Sequence, residues 1–237
     1  MQKMRTGGYD GKGVTPFRNE QDAEKAFDAP SVLEKWVPFE KEISVLVARN
    51  EDGQITAYPT VEMEFNPEAN LVEFLFAPAQ VSSEIESKAI AIAKDLIQKL
   101  DMVGLLAVEM FLTKEGEILV NEIAPRPHNS GHQTIEANIT SQYEQHLRAV
   151  CNMPLGDTTL VIPVVMVNIL GEKGYSGSVR YEGLDQVLQI PGAYIHLYGK
   201  SETKPFRKMG HCTVVNVDLE TAKANARKVL STLKVIA

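Results

Sequence analysis

Two apolar stretches, Leu106 to Thr113 and Glu117 to Ile123, stand either side of Lys114-Glu115-Gly116, and each carries a glutamate among its apolar residues. The pattern predicts a tight antiparallel hairpin. With Glu115-Gly116 as a two-residue loop, Lys114 faces Glu117 and paired positions sum to 231. Glu109 then stands directly across from Glu122 on one face of the sheet, their Cβ atoms about 4.5–5.5 Å apart. Two carboxylates at that distance among Ala107, Val108, Met110, Leu119 and Val120 repel one another unless a proton or a cation lies between them. A hard divalent ion with oxygen ligands, Mg²⁺ or Mn²⁺, answers that repulsion. The bland alternative is that one acid points to solvent or pairs with a lysine. A glycosidase acid pair has similar spacing, but it calls for aromatic sugar platforms, and the single tryptophan, Trp36, lies far from the hairpin in sequence.

The chain has 237 residues and a formal net charge of −7. That length supports one large domain or two small ones with a substantial core. The acidity argues against bulk nucleic-acid binding while leaving local basic clusters free to hold a small phosphorylated ligand. Two distant cysteines, Cys151 and Cys212, indicate neither a disulfide framework nor a zinc knuckle and suit a reducing, cytoplasmic setting. No stretch approaches the roughly 18 consecutive apolar residues of a membrane span, and the polar, glycine-rich start lacks the apolar core of a leader.

Along the chain, Asn19 is a candidate N-cap for a short helix over Asp22 to Phe27, and Pro30 ends it. Ser31 to Val37, Glu42 to Arg49 and Ile55 to Phe65 read as strands. Ser83 with Glu86 forms a capping-box pattern before a helix whose face carries Ile85, Ala89, Ile92, Ala93, Leu96 and Leu100. Ser141 and Glu144 open a second helix, stopped by Pro154. Short strands and glycine turns follow from Leu160, and a last helix runs from about Asp218 to Lys234. Hairpins dominate, so the expected class is α+β with antiparallel sheets.

The densest functional run is Asn121-Glu122-Ile123-Ala124-Pro125-Arg126-Pro127-His128-Asn129-Ser130-Gly131-His132. Each proline fixes its own φ and extends its predecessor, so Arg126 and His128 project from a stiff loop. Arg126 offers a planar fork for phosphate or bicarbonate, and His128 a proton carrier near neutral pH. Gly7, Gly8, Gly11 and Gly13 allow backbone N–H groups to close over phosphates, with Lys3 and Lys12 supplying charge, although the segment is not a P-loop. Glu34 and Glu42 flank a proline-interrupted edge segment, Trp36 to Phe39, suited to an adenine edge, with Glu42 able to accept from ribose hydroxyls. Lys200, Lys204, Arg207, Lys208 and His211 crowd one loop; residues 200 to 211 hold four positive charges against one negative, a net of +3 in an acidic chain. That local reversal suggests a phosphate anchor.

Taken together, GGYDGKG at Gly7 to Gly13, the Glu34/Glu42 segment, Glu109, NEIAPRPHNSGH at Asn121 to His132 and GKSETKPFRKMGH at Gly199 to His211 resemble the N5-carboxyaminoimidazole ribonucleotide synthetase family of the ATP-grasp superfamily. The resemblance covers essentially the whole chain. It implies an ATP-grasp fold with antiparallel sheets and a small β-rich C-terminal subdomain, divided as a lid remnant over 1–40, a catalytic core over 41–155 and a closing subdomain over 156–237. It implies ATP-dependent carboxylation of 5-aminoimidazole ribonucleotide by bicarbonate, through carboxyphosphate, with ATP and Mg²⁺ or Mn²⁺.

By the same resemblance, Lys3 contacts phosphate, Gly7 to Gly13 cover it, and Glu34 and Val37 lie on the adenine side. Glu42 holds the ribose, Asn121 lies beside the nucleotide, and Glu109 and Glu122 bind the metal. Arg126 and His128 surround bicarbonate and imidazole, Tyr9, Asp10 and Lys12 are substrate-side lid groups, and Lys200 and Arg207 anchor the ribonucleotide phosphate. Members of that family carry an N-terminal α/β domain before the phosphate lysine, so the resemblance also implies a C-terminal portion impaired on its own, in a family where homodimers are an option. Val14 stands where the family often has Gln.

Overall fold

A computed structural model of the chain describes residues 1–8, 13–66 and 71–237. Its elements in order are β1 (Gln2–Met4), β2 (Val14–Thr15), β3 (Ser31–Leu33), β4 (Lys41–Arg49), β5 (Ile55–Ala57), β6 (Val61–Asn66), β7 (Leu71–Ala77), α1 (Ser83–Lys99), β8 (Gly104–Leu112), β9 (Ile118–Ala124), α2 (Thr134–Ala137), α3 (Gln142–Val150) and β10 (Val164–Leu170). The C-terminal third adds β11 (Gly177–Ser178), β12 (Arg180–Glu182), α4 (Leu184–Val187), β13 (Ala193–Leu197), β14 (Glu202–Thr203), β15 (Lys208–Val215), α5 (Leu219–Thr232) and β16 (Lys234–Ile236).

Among the described residues the largest sheet has nine strands, in the order β13-β15-β10-β7-β6-β4-β8-β9, with β5 beside β4. Its named pairings are antiparallel, as expected from the hairpin-rich sequence. β1, β2 and β3 form a separate three-stranded sheet at the N-terminus.

Two helices cover one side of the long sheet because their small and apolar positions recur at helical spacing. Ala89, Ala93 and Ile97 of α1, all fully buried, pack against Ile43, Val45, Val47, Leu106, Val108 and Met110. Ala222, Ala226 and Val229 of α5 pack against Phe76, Val165, Val167, Cys212 and Val214. Each large side chain so buried contributes roughly 1.5–3 kcal/mol. Because strand side chains alternate between faces, Ser44, Leu46 and Ala48 point to the opposite face. There Leu46, Leu105, Ala107, Ala124 and Tyr58 form a second apolar cluster. Further along the same face, where Ser44 pairs with Glu109 and Glu42 with Phe111, the apolar floor gives way to acids.

Several local expectations shift by a residue or a turn. The helix expected over Asp22 to Phe27 is a 3-10 helix over Glu20–Lys25, capped as expected by Asn19. The strand expected over Ser31 to Val37 ends at Leu33. Ile55 to Phe65 is two strands, both on β4, parted around Pro59, which has no N–H for a ladder. α1 is capped by Ser82, whose Oγ accepts from Ile85 N at 3.3 Å, instead of by Ser83; the Glu86 carboxylate instead accepts from Thr60 N at 3.3 Å. Ser141 caps α3 as the sequence predicts, and the last helix, expected from about Asp218 to Lys234, runs over Leu219–Thr232 with Asp218 as its cap.

Candidate active site

Glu109 and Glu122 are register partners across β8 and β9. The route to that pairing differs from the expected one. Thr113 N donates to Glu117 O at 2.9 Å, so the loop is three residues, 114–116, with Gly116 at φ +80°. That is the residue type a left-handed loop position favours. The shorter ladder carries Met110 to Val120, and a bulge at Asn121 then restores the register that sets Glu109 opposite Glu122. One extra loop residue and one extra strand residue cancel.

Glu109 is the more buried partner, with 12% of its side chain exposed, whereas Glu122, on the edge strand, is exposed. Burial pushes the Glu109 carboxyl up to about 7, helped by the charges of Glu122 and then Glu42, and eased by Lys208 and Arg126. Burial alone carries Glu42 to about 7. Three acids thus share one face, and two of them hold protons near neutrality although Lys208 and Arg126 partly offset the charge at Glu109. Beside Glu42, Phe111 stacks on Phe39 with ring centroids 4.5 Å apart, forming an aromatic ledge at the end of this face.

The loop after β9 delivers His128 to the acids. Its Nδ1 lies 3.5 Å from Glu109 Oε1, 2.9 Å from Ser130 Oγ and 3.3 Å from Ser130 N. Ser130 Oγ is in turn 3.0 Å from Ser44 Oγ, a fully buried residue of β4. Asn129 and Asn168 of β10 exchange reciprocal amide hydrogen bonds of 2.8 and 3.0 Å, so the loop is fastened to two separate strands. Gly131 completes the turn: a Cβ there would lie 2.4 Å from Leu46 Cδ2 and 2.5 Å from Gln142 Oε1. Arg126 is exposed and donates to Pro127 O at 3.1 Å.

On the N-terminal side, Lys3 Nζ reaches Glu34 Oε2 at 2.7 Å and Asn121 Oδ1 at 3.0 Å, so three candidate nucleotide-side residues meet at one ammonium. The bulge is what frees Asn121 for this contact. Val37 is half-buried in the irregular segment after β3. Gly7 and Gly13 both take φ of +79°, and a Cβ on Gly13 would lie 3.1 Å from Gly8 Cα, so the two ends of the glycine segment come close together. Tyr9, Asp10, Gly11 and Lys12, expected in the phosphate-covering lid, lie outside the described residues.

The basic loop connects through a stack of imidazoles. Lys200 donates to Lys208 O and lies 5.6 Å from the Tyr198 ring; Arg207 donates to Glu202 O at 2.8 Å. Tyr198 Oη is 3.0 Å from His211 Nδ1. His211 stacks between His132 at 4.4 Å and His196 at 4.5 Å, and His196 Nε2 meets Glu136 Oε1 at 2.7 Å. Burial holds His132 down at about 4 and His211 at about 3, each further lowered by neighbouring imidazoles.

The sequence offered no pattern for Ser44 or Gln142, whose roles depend on contacts between distant segments, and showed Ser130 only as one member of the Asn121 to His132 run. Lys208 is visible in the sequence only as one of a basic crowd, yet its charge is the first that eases Glu109.

Comparison with known proteins agrees with this geometry. Residues 1–143 match the ATP-grasp domain, and residues 164–225 match the phosphoribosylaminoimidazole carboxylase C-terminal domain. The chain belongs to the N5-carboxyaminoimidazole ribonucleotide synthase family of ATP-grasp proteins. It is 47% identical over 216 residues to the N5-carboxyaminoimidazole ribonucleotide synthase of Bacillus subtilis, covering 89% of this chain and 54% of that protein. The crystal structure of the Thermotoga maritima N5-carboxyaminoimidazole ribonucleotide synthetase superposes with a TM-score of 0.91 at 50% identity, over all of this chain and 62% of that one. The Aspergillus clavatus enzyme in complex with ADP and 5-aminoimidazole ribonucleotide superposes at 0.88 and 33% identity, over 98% of this chain and 61% of that one. The chain thus spans about half the length of the curated relatives it matches. The expected ATP-grasp fold with antiparallel sheets is the fold observed. No helix among the described residues is long and apolar enough to cross a membrane.

Proposed function

We propose that this chain binds ATP and uses it to carboxylate 5-aminoimidazole ribonucleotide with bicarbonate through carboxyphosphate, in a cytoplasmic setting. The observation that carries the reading is the facing pair Glu109 and Glu122, the first held at about 7 by burial and its neighbours. Among the described residues no cluster of three or more His, Cys, Asp or Glu is arranged to hold a metal. Two oxygen-only donors facing one another nevertheless fit a hard ion whose other ligands are phosphate oxygens and water. Glu109 and Glu122 would hold Mg²⁺ or Mn²⁺, which when bound supplies charge neutralisation at the β- and γ-phosphates.

The chain's own groups account for the rest. The Lys3 ammonium, fixed by Glu34 and Asn121, sets a positive charge where nucleotide phosphates would lie, and Gly7, Gly8, Gly11 and Gly13 close over them. Glu34 and Val37 line the adenine side, and Glu42, a carboxyl that burial brings to about 7, accepts from ribose hydroxyls. Arg126 and His128 orient bicarbonate and the imidazole, Tyr9, Asp10 and Lys12 close from the lid, and Lys200 and Arg207 take the ribonucleotide phosphate. Positioning and electrostatics supply most of the acceleration in phosphoryl transfer, and exclusion of water protects the labile intermediate.

The test is ATP turnover that requires both bicarbonate and 5-aminoimidazole ribonucleotide and is lost in Glu122→Gln; turnover surviving that substitution removes the metal role. Because the chain spans only about half the length of its relatives, a second reading is a nucleotide-binding polypeptide without turnover. Calorimetry that detects MgADP binding with no ATP hydrolysis favours it.

A further inference from the structure

Gln142, the first residue of α3, is fully buried and uses every polar atom of its side chain. His128 N donates to its Oε1 at 2.9 Å, and its Nε2 donates to His128 O at 2.9 Å. One side chain thereby bonds both the N–H and the carbonyl of His128, the carbonyl also accepting from Gly131 N at 3.0 Å. The same Nε2 lies 3.1 Å from His132 Nδ1, and Tyr143 Oη lies 3.0 Å from that nitrogen. The backbone partners settle which end of the amide is which: an N–H must meet the oxygen and a carbonyl must meet the nitrogen. The group facing His132 Nδ1 is therefore an N–H donor that cannot accept, so Nδ1 must be the acceptor. Gln142 N is itself tied at 2.8 Å to Thr134 Oγ1, which donates to Gly131 O at 2.6 Å. Gly131 leaves room for the amide, since a Cβ there would lie 2.5 Å from Oε1.

We propose that Gln142 is a positioning residue for His128, and that the same amide fixes His132 as a neutral imidazole carrying its proton on Nε2. The positioning role rests on the carboxylation reading above; the protonation pattern of His132 does not. Gln142 grips the backbone of His128 while Ser130, itself bonded to Ser44, holds its ring, so the imidazole that meets Glu109 is held at both ends. Through His132 the same amide couples the loop to the His211 stack and Tyr198, next to the basic loop.

Gln142→Glu separates this from a purely structural role. At pH 8 the introduced carboxylate still accepts from His128 N, but it faces the His128 carbonyl and the lone pair of His132 Nδ1, so His132 must move its proton to Nδ1. As pH falls the carboxyl regains a donor, which can take the place of the amide N–H toward His128 O. The charged and titratable groups nearby are His128, Lys208, His196, His211 and Tyr143 around His132, with Glu109 facing His128; Gln142→Met keeps all of them without the new carboxyl, so the contrast between the two variants isolates it.

Long-range ¹⁵N NMR of the imidazoles in the full chain should show His132 Nδ1 unprotonated in the wild type at pH 8 and protonated in Gln142→Glu. A protonated Nδ1 in the wild type, or an unchanged His132 in the variant, overturns the assignment. If the variant does not fold, the wild-type spectrum and that of Tyr143→Phe, in which Gln142 alone must keep Nδ1 unprotonated, decide it. Turnover of Gln142→Glu should fall about tenfold at pH 8, the scale of one lost buried hydrogen bond, with KM for ATP within about twofold. The ratio to wild type should climb as pH falls, whereas Gln142→Met, which has no donor to regain, should stay flat. Equal deficits in both variants at every pH overturn the positioning role. Absence of turnover in the wild type removes it together with the carboxylation reading, while the NMR result stands.

Discussion

Glu42, Glu109 and Glu122 on one face of the long sheet, and His132, His196 and His211 beside it, are both crowds of like titratable groups, and the fold handles them in opposite ways. His132 and His211 shed their charge: burial lowers them to about 4 and about 3, their rings stack, and Gln142, Tyr143 and Tyr198 meet their Nδ1 atoms. The acids are left near the point of ionisation, at about 7 for both Glu42 and Glu109, with a third carboxyl across the strand. His132 and His211 are neutral at working pH and find their Nδ1 partners within the chain, while the buried Nε2 of His211 meets no partner among the described residues. The charges of Lys208 and Arg126 offset this face of acids only in part, and that imbalance fits the proposed cation there.

The largest expected effect breaks the acid side. Glu109→Gln should lower ATP turnover about a thousandfold, near 4 kcal/mol of transition-state stabilisation, as loss of a central electrostatic group does. In metal-free buffer at pH 8 the same substitution should raise the urea midpoint, because a buried charge has been removed, and added Mg²⁺ should stabilise the wild type but not the variant. A variant that turns over normally, or a wild type indifferent to Mg²⁺, ends the contrast between the two crowds.

Gly131→Ala strikes the junction between them. The new methyl meets Leu46 Cδ2 and Gln142 Oε1, one part of a packed core and the other committed to two hydrogen bonds. A destabilisation of about 3 kcal/mol is expected, at the upper end of overpacking costs, read from denaturant unfolding. A loss below about 1 kcal/mol would show that the loop has slack and that His128 is not rigidly held.

The pH dependence distinguishes the two groups by sign. Glu42 and Glu109 bind protons more tightly folded than unfolded, so their contribution is complete below the ordinary glutamate value of 4.5 and is lost as pH rises through about 7. His132 and His211 bind protons less tightly folded, so theirs is complete above 6.5 and is lost as pH falls toward about 4 and about 3. Without metal, stability should therefore be greatest between about pH 4.5 and 6.5, where the slopes oppose. His211→Phe keeps an aromatic ring in the stack and should recover on the order of 2 kcal/mol at pH 4 while changing little at pH 8. An unchanged acid limb would assign acid sensitivity to groups outside the stack.

Much of this was legible in the residues, unevenly. The cap at Ser141 and most of the face of α1, apart from Leu100, which is exposed, and Ile97, which is buried in its place, follow from side chains interacting within a turn or two, which is what local patterns report. The histidine stack was not legible, since 132, 196 and 211 meet only after β13 and β15 have paired and the loop before α2 has folded over them. The acid pair falls between these cases. Its register follows from alternation on both strands, but the two-residue turn is replaced by a three-residue one, and the bulge that compensates depends on tertiary contacts. Asn121 Oδ1 is held by Lys3, 118 residues away in sequence, and no pattern within the hairpin signals it.

Deleting Asn121 gives the smallest effect and the sharpest reading of that compensation. The ladder running from Leu112–Ile118 to Met110–Val120 would continue unbroken, and the next pair formed would still be Glu109 with the glutamate now at the following position. The acid pair, its raised protonation and its response to Mg²⁺ should all survive, with a stability change of about 1 kcal/mol. What is lost is the Lys3 contact: the ammonium keeps Glu34 but no longer has the strand to fix it. Nucleotide affinity should fall about tenfold, the equivalent of one charge-assisted hydrogen bond, measured by calorimetry. If the Mg²⁺ response disappears as well, the bulge determines which way Glu122 faces, and the acid crowd depends on the same long-range contacts as the histidines.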